Sequence, residues 1–279
     1  MTEKLNSSNL RQNPRNVNEL VNELTLFDDD LMSRVFDKNI KATELLLRII
    51  LGKKVKVISV TGQNEMKNHQ VGGRNITLDV DAMDENGEEI DIEVQGNSEG
   101  AHVRRARYHS SMVDSRMLKE GQAFRELRDS YVIFIYKHDK FRKGLPLYHV
   151  ERYVGETNEQ FRDGSHIIYV NGNYKGNDEI GQLMQDSREK NPECMHYTEL
   201  AESVKHFKEK AGGREEMSEI VERYINERVE ERVKERVEKE KTISVQNLMN
   251  NMKWTLDQAL DALGIKGKER TLITQQLQK

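Results

Sequence analysis

Residues 78–95, LDVDAMDENGEEIDIEVQ, carry eight acidic side chains around a single Asn-Gly turn signal. Alternation sorts them onto faces: Ile76, Leu78, Val80 and Ala82 share one side of a first strand, with Asp79 and Asp81 opposite. In a second strand Ile90, Ile92 and Val94 oppose Asp91, Glu93 and Gln95. Each strand is expected to bury one side and charge the other. Parity then fixes the register. A two-residue Asn86-Gly87 loop would set Asp79 against Val94 and mix the faces. A three-residue loop, Glu85-Asn86-Gly87 with the glycine left-handed, pairs Asp84 with Glu88, Asp81 with Asp91 and Asp79 with Glu93. That register sets carboxylates side by side, an arrangement that a hard divalent cation, Mg²⁺ foremost, would relieve. A solvated sheet face is the alternative. An EF-hand is excluded, because Met83 and Asp84 stand where that loop needs a ligand and a glycine.

The elements that must hold this hairpin are legible on either side of it. Residues 27–51 show a helical apolar pattern closed by Gly52, and VKVISV at 55–60 reads as a strand. After strands at about 75–83 and 88–95, residues 102–127 form a helix, or two broken near Gly121. SYVIFIYK at 130–137 is a buried strand, and PLYHVERYV and SHIIYVNGNY supply two more that extend or flank the sheet. The helix segment 101–128 has seven basic residues against three acidic ones, although the whole chain is net −4. Arg104, Arg105, Arg107 and Tyr108 follow the second acidic strand closely enough to meet a polyanion.

Composition excludes several classes. No apolar run approaches a membrane span, and the N-terminus lacks the core of a secretion signal. One cysteine, Cys194, rules out an internal disulfide and multi-thiolate zinc sites, so a reducing cytoplasmic setting is expected. The eight histidines show no metal-ligand spacing.

Five segments follow: a polar stretch 1–26, a core 27–177, a helical connection 178–213, a charged helix 214–241 and a small helical hairpin 242–279. The charged helix holds ten acidic and eight basic residues, with Val221, Ile225, Val229, Val233 and Val237 recurring every fourth position. That stripe drifts around the helix, which disfavours an ordinary coiled coil. An exposed spacer is expected, with homo-oligomerisation through the C-terminal helices as the alternative. Thr255 and Gln258 form a capping box, and Gly264 ends the helix that follows.

Helix, three strands, helix, strand, with LDV and IEVQ on adjacent strands and RRARYHSSMVDSRMLKEG following, resembles the PD-(D/E)XK nuclease superfamily. More closely, FDKNIKATELLLRIILG, RNITLDVDAMDENGEEIDIEVQ and SYVIFIYKHDKFRKGLPLYHV resemble the Rpn family of recombination-promoting nucleases and putative transposases. The resemblance implies an α/β restriction-endonuclease-like core, a mixed sheet flanked by helices, with a helical C-terminal extension. It implies a metal-dependent DNA endonuclease using Mg²⁺, with Mn²⁺ or Ca²⁺ as substitutes. Asp79 and Glu93 match the metal-binding carboxylates, Gln95 the position usually held by lysine, and Glu44 a further acid on the first helix. Arg104, Arg105, Arg107 and Tyr108 would bind the DNA backbone. An amide at 95 has no charge and cannot act as a base, so slow turnover is expected, and a weak or inactive DNA-binding module that keeps the fold is the alternative.

Overall fold

The computed structural model describes residues 14–68, 70, 72–96 and 101–277, with the side chains of 14–16, 228–235 and 268 outside that set. Residues 1–13, and the side chains of Val229 and Val233 of the four-residue stripe, therefore lie outside the described part. The chain divides into two compact units, residues 15–218 and the segment from Glu219 onward.

The first unit opens with three helices: α1 (Pro14–Glu23), α2 (Asp29–Phe36) and α3 (Ile40–Leu51). The single helix expected over 27–51 is thus two, interrupted where Lys38 takes a left-handed backbone (φ 55°) and Asn39 caps α3 through a bond from the Ala42 N–H. Gly52 closes α3 at φ 66°. β1 (Val57–Met66), β2 (Ile76–Asp84) and β3 (Glu89–Gln95) then form an antiparallel meander. After α4 (Val103–Met117), β4 (Ser130–Tyr136) adds parallel to β3. β5 (Leu147–Val150) is followed by a separate two-stranded ribbon, β6 (Tyr153–Val154) with β7 (Glu159–Gln160). β8 (Ser165–Asn171) lies parallel to β4 and antiparallel to β5, so the two late strands extend the sheet to the order β1-β2-β3-β4-β8-β5. Helices α5 (Glu179–Arg188) and α6 (Thr198–Glu209) complete the unit.

The hairpin adopts the register that parity requires: Asp81 faces Asp91, and the Asp84 N–H donates to the Glu88 carbonyl. Gly87 sits at φ 77°, and the buried Asp84 carboxylate secures the turn by accepting from the Asn86 and Glu88 amides. The expected charged outer face of β3 is not solvated. Asp91 and Glu93 are fully buried, because β3 is an interior strand and α4 packs over it, β4 and β8. Ala106 of α4 joins Val132, Phe134 and Tyr169, while Met112 and Val113 pack on Met66, Ile76 and Leu78.

At the opposite edge α2 packs on β1, β2 and β3 at a point where only glycine fits. The Gly62 N–H donates to Asp37, and a Cβ there would lie 2.3 Å from the Ser33 carbonyl oxygen. Gly62→Ala is therefore expected to lower stability by about 2 kcal/mol or more, read as an earlier urea midpoint. An unchanged midpoint would mean that α2 does not seat this closely.

A 42-residue helix, α7 (Ala211–Met252), contains the charged segment. In the second unit its Val245 packs with residues of α8 (Leu256–Ala262) and α9 (Gly267–Leu277), namely Ala259, Leu260 and Ile273. The Thr255–Gln258 capping box forms, and Gly264 takes φ 67° after α8. No described helix is long and apolar enough to cross a membrane.

Candidate active site

The β2–β3 ladder ends at Val80–Ile92, one residue before the carboxylates, and side chains take over the pairing. The Val94 N–H donates to Asp79 Oδ2 (2.8 Å), and the Asp79 N–H donates to Glu93 Oε1 (3.2 Å). Asp79 and Glu93 are thereby locked to each other's strand. The Gln95 amide reaches Glu93 Oε2 at 3.2 Å. From α4, the Arg105 guanidinium donates to the same oxygen at 2.6 Å and, through Nε, to His109 Nε2 at 3.2 Å. An imidazole nitrogen that accepts carries no hydrogen, so Nδ1 bears it and donates to Asp91 Oδ2 at 2.8 Å. Arg105 and His109 stand four residues apart, on one helical face.

Fully ionised, this cluster would set three carboxylates against the single Arg105 guanidinium. Burial, followed by the neighbouring carboxylates, holds Asp91 and Glu93 well above the usual carboxylate range. Burial also pushes Asp79 up to about 6, against the Val94 hydrogen bond and with Asp29 adding repulsion. His109 is pushed down by burial, which keeps it neutral. Asp91 Oδ1 is buried without a hydrogen-bond partner. Ligand atoms of Asp91, Glu93 and His109 all lie within 4.8 Å of one another. The His109 hydrogen faces Asp91, however, so in this arrangement the histidine donates and has no lone pair to offer there.

A pH dependence follows. Carboxylates whose folded pKa is raised stabilise the fold at low pH, and that contribution is lost as pH rises through the folded value. Asp79, at about 6 against 3.8 unfolded, is joined by Asp91 and Glu93 in the same direction. The protein is expected to melt at a lower temperature at pH 8 than at pH 5. A melting temperature that is flat or rises over that interval would contradict the charge imbalance.

Above the carboxylates lies a cleft of about 1170 Å³. Asp79, Gln95, Arg104, Arg105, Arg107 and Tyr108 line it, together with Asp29, Gln63, Arg74 and His109. Arg104 and Arg107 are exposed, whereas Arg105 turns inward to Glu93. The Tyr108 hydroxyl is already engaged: it donates to the Arg74 carbonyl (2.6 Å) and accepts from Asn68 (2.8 Å), tying the β1–β2 connection to α4. Glu44 is not brought to the cleft. Its carboxylate accepts the Val57 N–H at the start of β1, whose β2 partner is Asp84, five residues from Asp79. The acid that an early helix does contribute is Asp29, in the first turn of α2. Alternation placed Asp91 beside Glu93 on one strand face, but no spacing marks Asp29 or His109 in the sequence.

A mixed sheet whose antiparallel meander continues into parallel strands, with an Asp on the second strand and a Glu on the third, defines the PD-(D/E)XK α/β fold. Residues 34–245, about three quarters of the chain, match the family described as PD-(D/E)XK nuclease family transposase, and the chain belongs to that family. No curated protein and no solved structure matches it.

Proposed function

We propose that the protein is a divalent-metal-dependent endonuclease that hydrolyses DNA phosphodiesters, in a process linked to recombination or mobile elements. The observation that carries the reading is the buried, under-neutralised Asp79–Glu93–Asp91 group beneath a cleft lined by four arginines. Carboxylate oxygens suit hard cations, Mg²⁺, Mn²⁺ or Ca²⁺, and the orphaned Asp91 oxygen and raised carboxylate pKa values fit a missing positive charge. Asp79 and Glu93 would hold the metal. When bound, it would acidify a coordinated water and offset charge on the scissile phosphate.

The protein groups divide the remaining work. Arg105 brings to Glu93 the positive charge that Gln95 lacks, and the Asp91–His109 pair supports it from behind. The Gln95 amide orients a water or a phosphate oxygen by hydrogen bonding. Arg74, Arg104 and Arg107 supply phosphate contacts, which give affinity without sequence reading. No covalent protein nucleophile is required.

Calorimetric titration of Mn²⁺ is expected to show binding to the wild-type protein and its loss in Asp79→Ala and in Glu93→Ala. Equal affinity in all three would end the metal assignment. One observation favours a second reading, a DNA-binding or assembly module with little cleavage: Arg105 already occupies Glu93 Oε2. Duplex binding without nicking under any divalent metal would select that reading.

A further inference from the structure

β4 ends at Tyr136, in register with Gln95 of β3, and the next amide, Lys137 N–H, donates to the Gln95 carbonyl at 3.0 Å. The connection 137–144, KHDKFRKG, thus leaves the sheet at the carboxyl end of the strand beside Gln95, a cleft residue. In parallel sheets, ligand-contacting groups gather outside that end. β3 lies between β2, which carries Asp79, and β4, which launches this loop.

The loop contains four cations, Lys137, Lys140, Arg142 and Lys143, and one acid. That acid is consumed internally. Asp139 accepts the amides of Phe141 (3.1 Å), Arg142 (2.8 Å) and Gly144 (2.7 Å) and the Tyr148 hydroxyl (2.7 Å), which winds the chain around its carboxylate. Phe141 pins the loop edge-on against Tyr148 and Tyr169, and Lys140 lies over the Tyr136 ring. Among the described residues none of the four cations forms a salt bridge, although Arg34, Arg48, Lys53, Lys56 and Lys190 all do. In a chain of net charge −4, a loop that shapes itself around its only acid, leaves Lys137, Arg142 and Lys143 exposed and sets Lys140 over a tyrosine ring is built to meet a polyanion.

We propose that loop 137–144 is a second phosphate-binding surface, which grips the backbone of duplex DNA flanking the segment held in the cleft. This rests on the nuclease reading above, and the surface extends the contact beyond the arginines of α4. Because it touches backbone only, it adds affinity and dependence on duplex length, with no preference for sequence.

The test uses the full-length chain, a 30-base-pair duplex and EDTA, with affinity measured by fluorescence anisotropy across a salt series. The variant carries Lys137→Gln, Lys140→Gln, Lys143→Gln and Arg142→Asn, the asparagine chosen because residue 142 has φ 56°. Each lost phosphate contact lowers the log–log salt slope by about 0.9, so loss of all four is expected to lower the slope by about 3.6 and affinity by ~100-fold. Plasmid nicking at saturating DNA should stay at the wild-type rate. If the fourfold variant does not fold, Lys137→Gln with Lys143→Gln should lower the slope by about 2. An unchanged slope in a folded variant, with wild type still binding and nicking, overturns the loop assignment alone. Weakened binding to RNA or to anionic vesicles with none to duplex DNA also overturns it. A wild-type protein that binds no duplex overturns both this proposal and the nuclease reading.

Discussion

Glu93→Gln is expected to abolish metal-dependent cleavage while making the metal-free protein more stable. Glu93 is fully buried between Asp79 and Asp91, and Arg105 is the one cation bonded to it among the described residues. Burial of an under-compensated carboxylate is costly, and an amide keeps its shape and an acceptor oxygen for the Asp79 N–H. At pH 8 the variant should melt about 3 °C or more above the metal-free wild type, and it should no longer respond to Mn²⁺. Cleavage should fall on the order of 10³-fold. A variant less stable than wild type at pH 8 would mean that the Arg105–Glu93 pair outweighs the cost of burial. The cluster would then be a structural ion pair with no call for a metal.

The second large effect concerns Arg105. Sequence position alone grouped it with Arg104 and Arg107 as a phosphate contact, but its guanidinium points to Glu93 and His109. If it supplies the charge that Gln95 lacks, Arg105→Ala should slow single-turnover nicking by about 10²-fold at saturating DNA and change affinity only slightly. Arg105→Lys should restore part of the rate, because charge returns without the two-pronged contact. Arg104→Ala and Arg107→Ala should do the reverse, each lowering the salt slope by about 0.9 and leaving the saturated rate intact. An Arg105→Ala variant with a normal saturated rate and a lowered salt slope would return it to the backbone-binding group.

The sequence carried the hairpin almost completely. Period-two alternation and the Glu85-Asn86-Gly87 turn are local signals, and local signals fixed both the register and the left-handed Gly87. The Thr255–Gln258 cap and the Gly52 helix end were legible for the same reason. What escaped depended on tertiary packing. Nothing in residues 88–95 says that a helix will cover the charged side of β3, so Asp91 and Glu93 read as half-solvated when they are buried. Asp29 and His109 approach the site from α2 and α4, far from the hairpin in sequence, and no fixed spacing links them to it. Glu44 was misplaced by the opposite error: it lies on an early helix, as the resemblance led one to expect, but α3 directs it to the Val57 amide. The polar end of β1 was missed because GQNEM has little strand propensity, and its pairing with β2 overrides that preference.

The central claim is that the buried carboxylates of β2 and β3 form a metal-dependent nuclease centre. Nicking of supercoiled plasmid by the purified full-length protein in EDTA, Mg²⁺, Mn²⁺ or Ca²⁺, beside Asp79→Ala and Glu93→Ala, tests it most directly. The account predicts nicking with Mg²⁺ or Mn²⁺, none in EDTA, and loss of activity in both variants. Identical behaviour of wild type and both variants, whether no cleavage or the same residual cleavage, would contradict it.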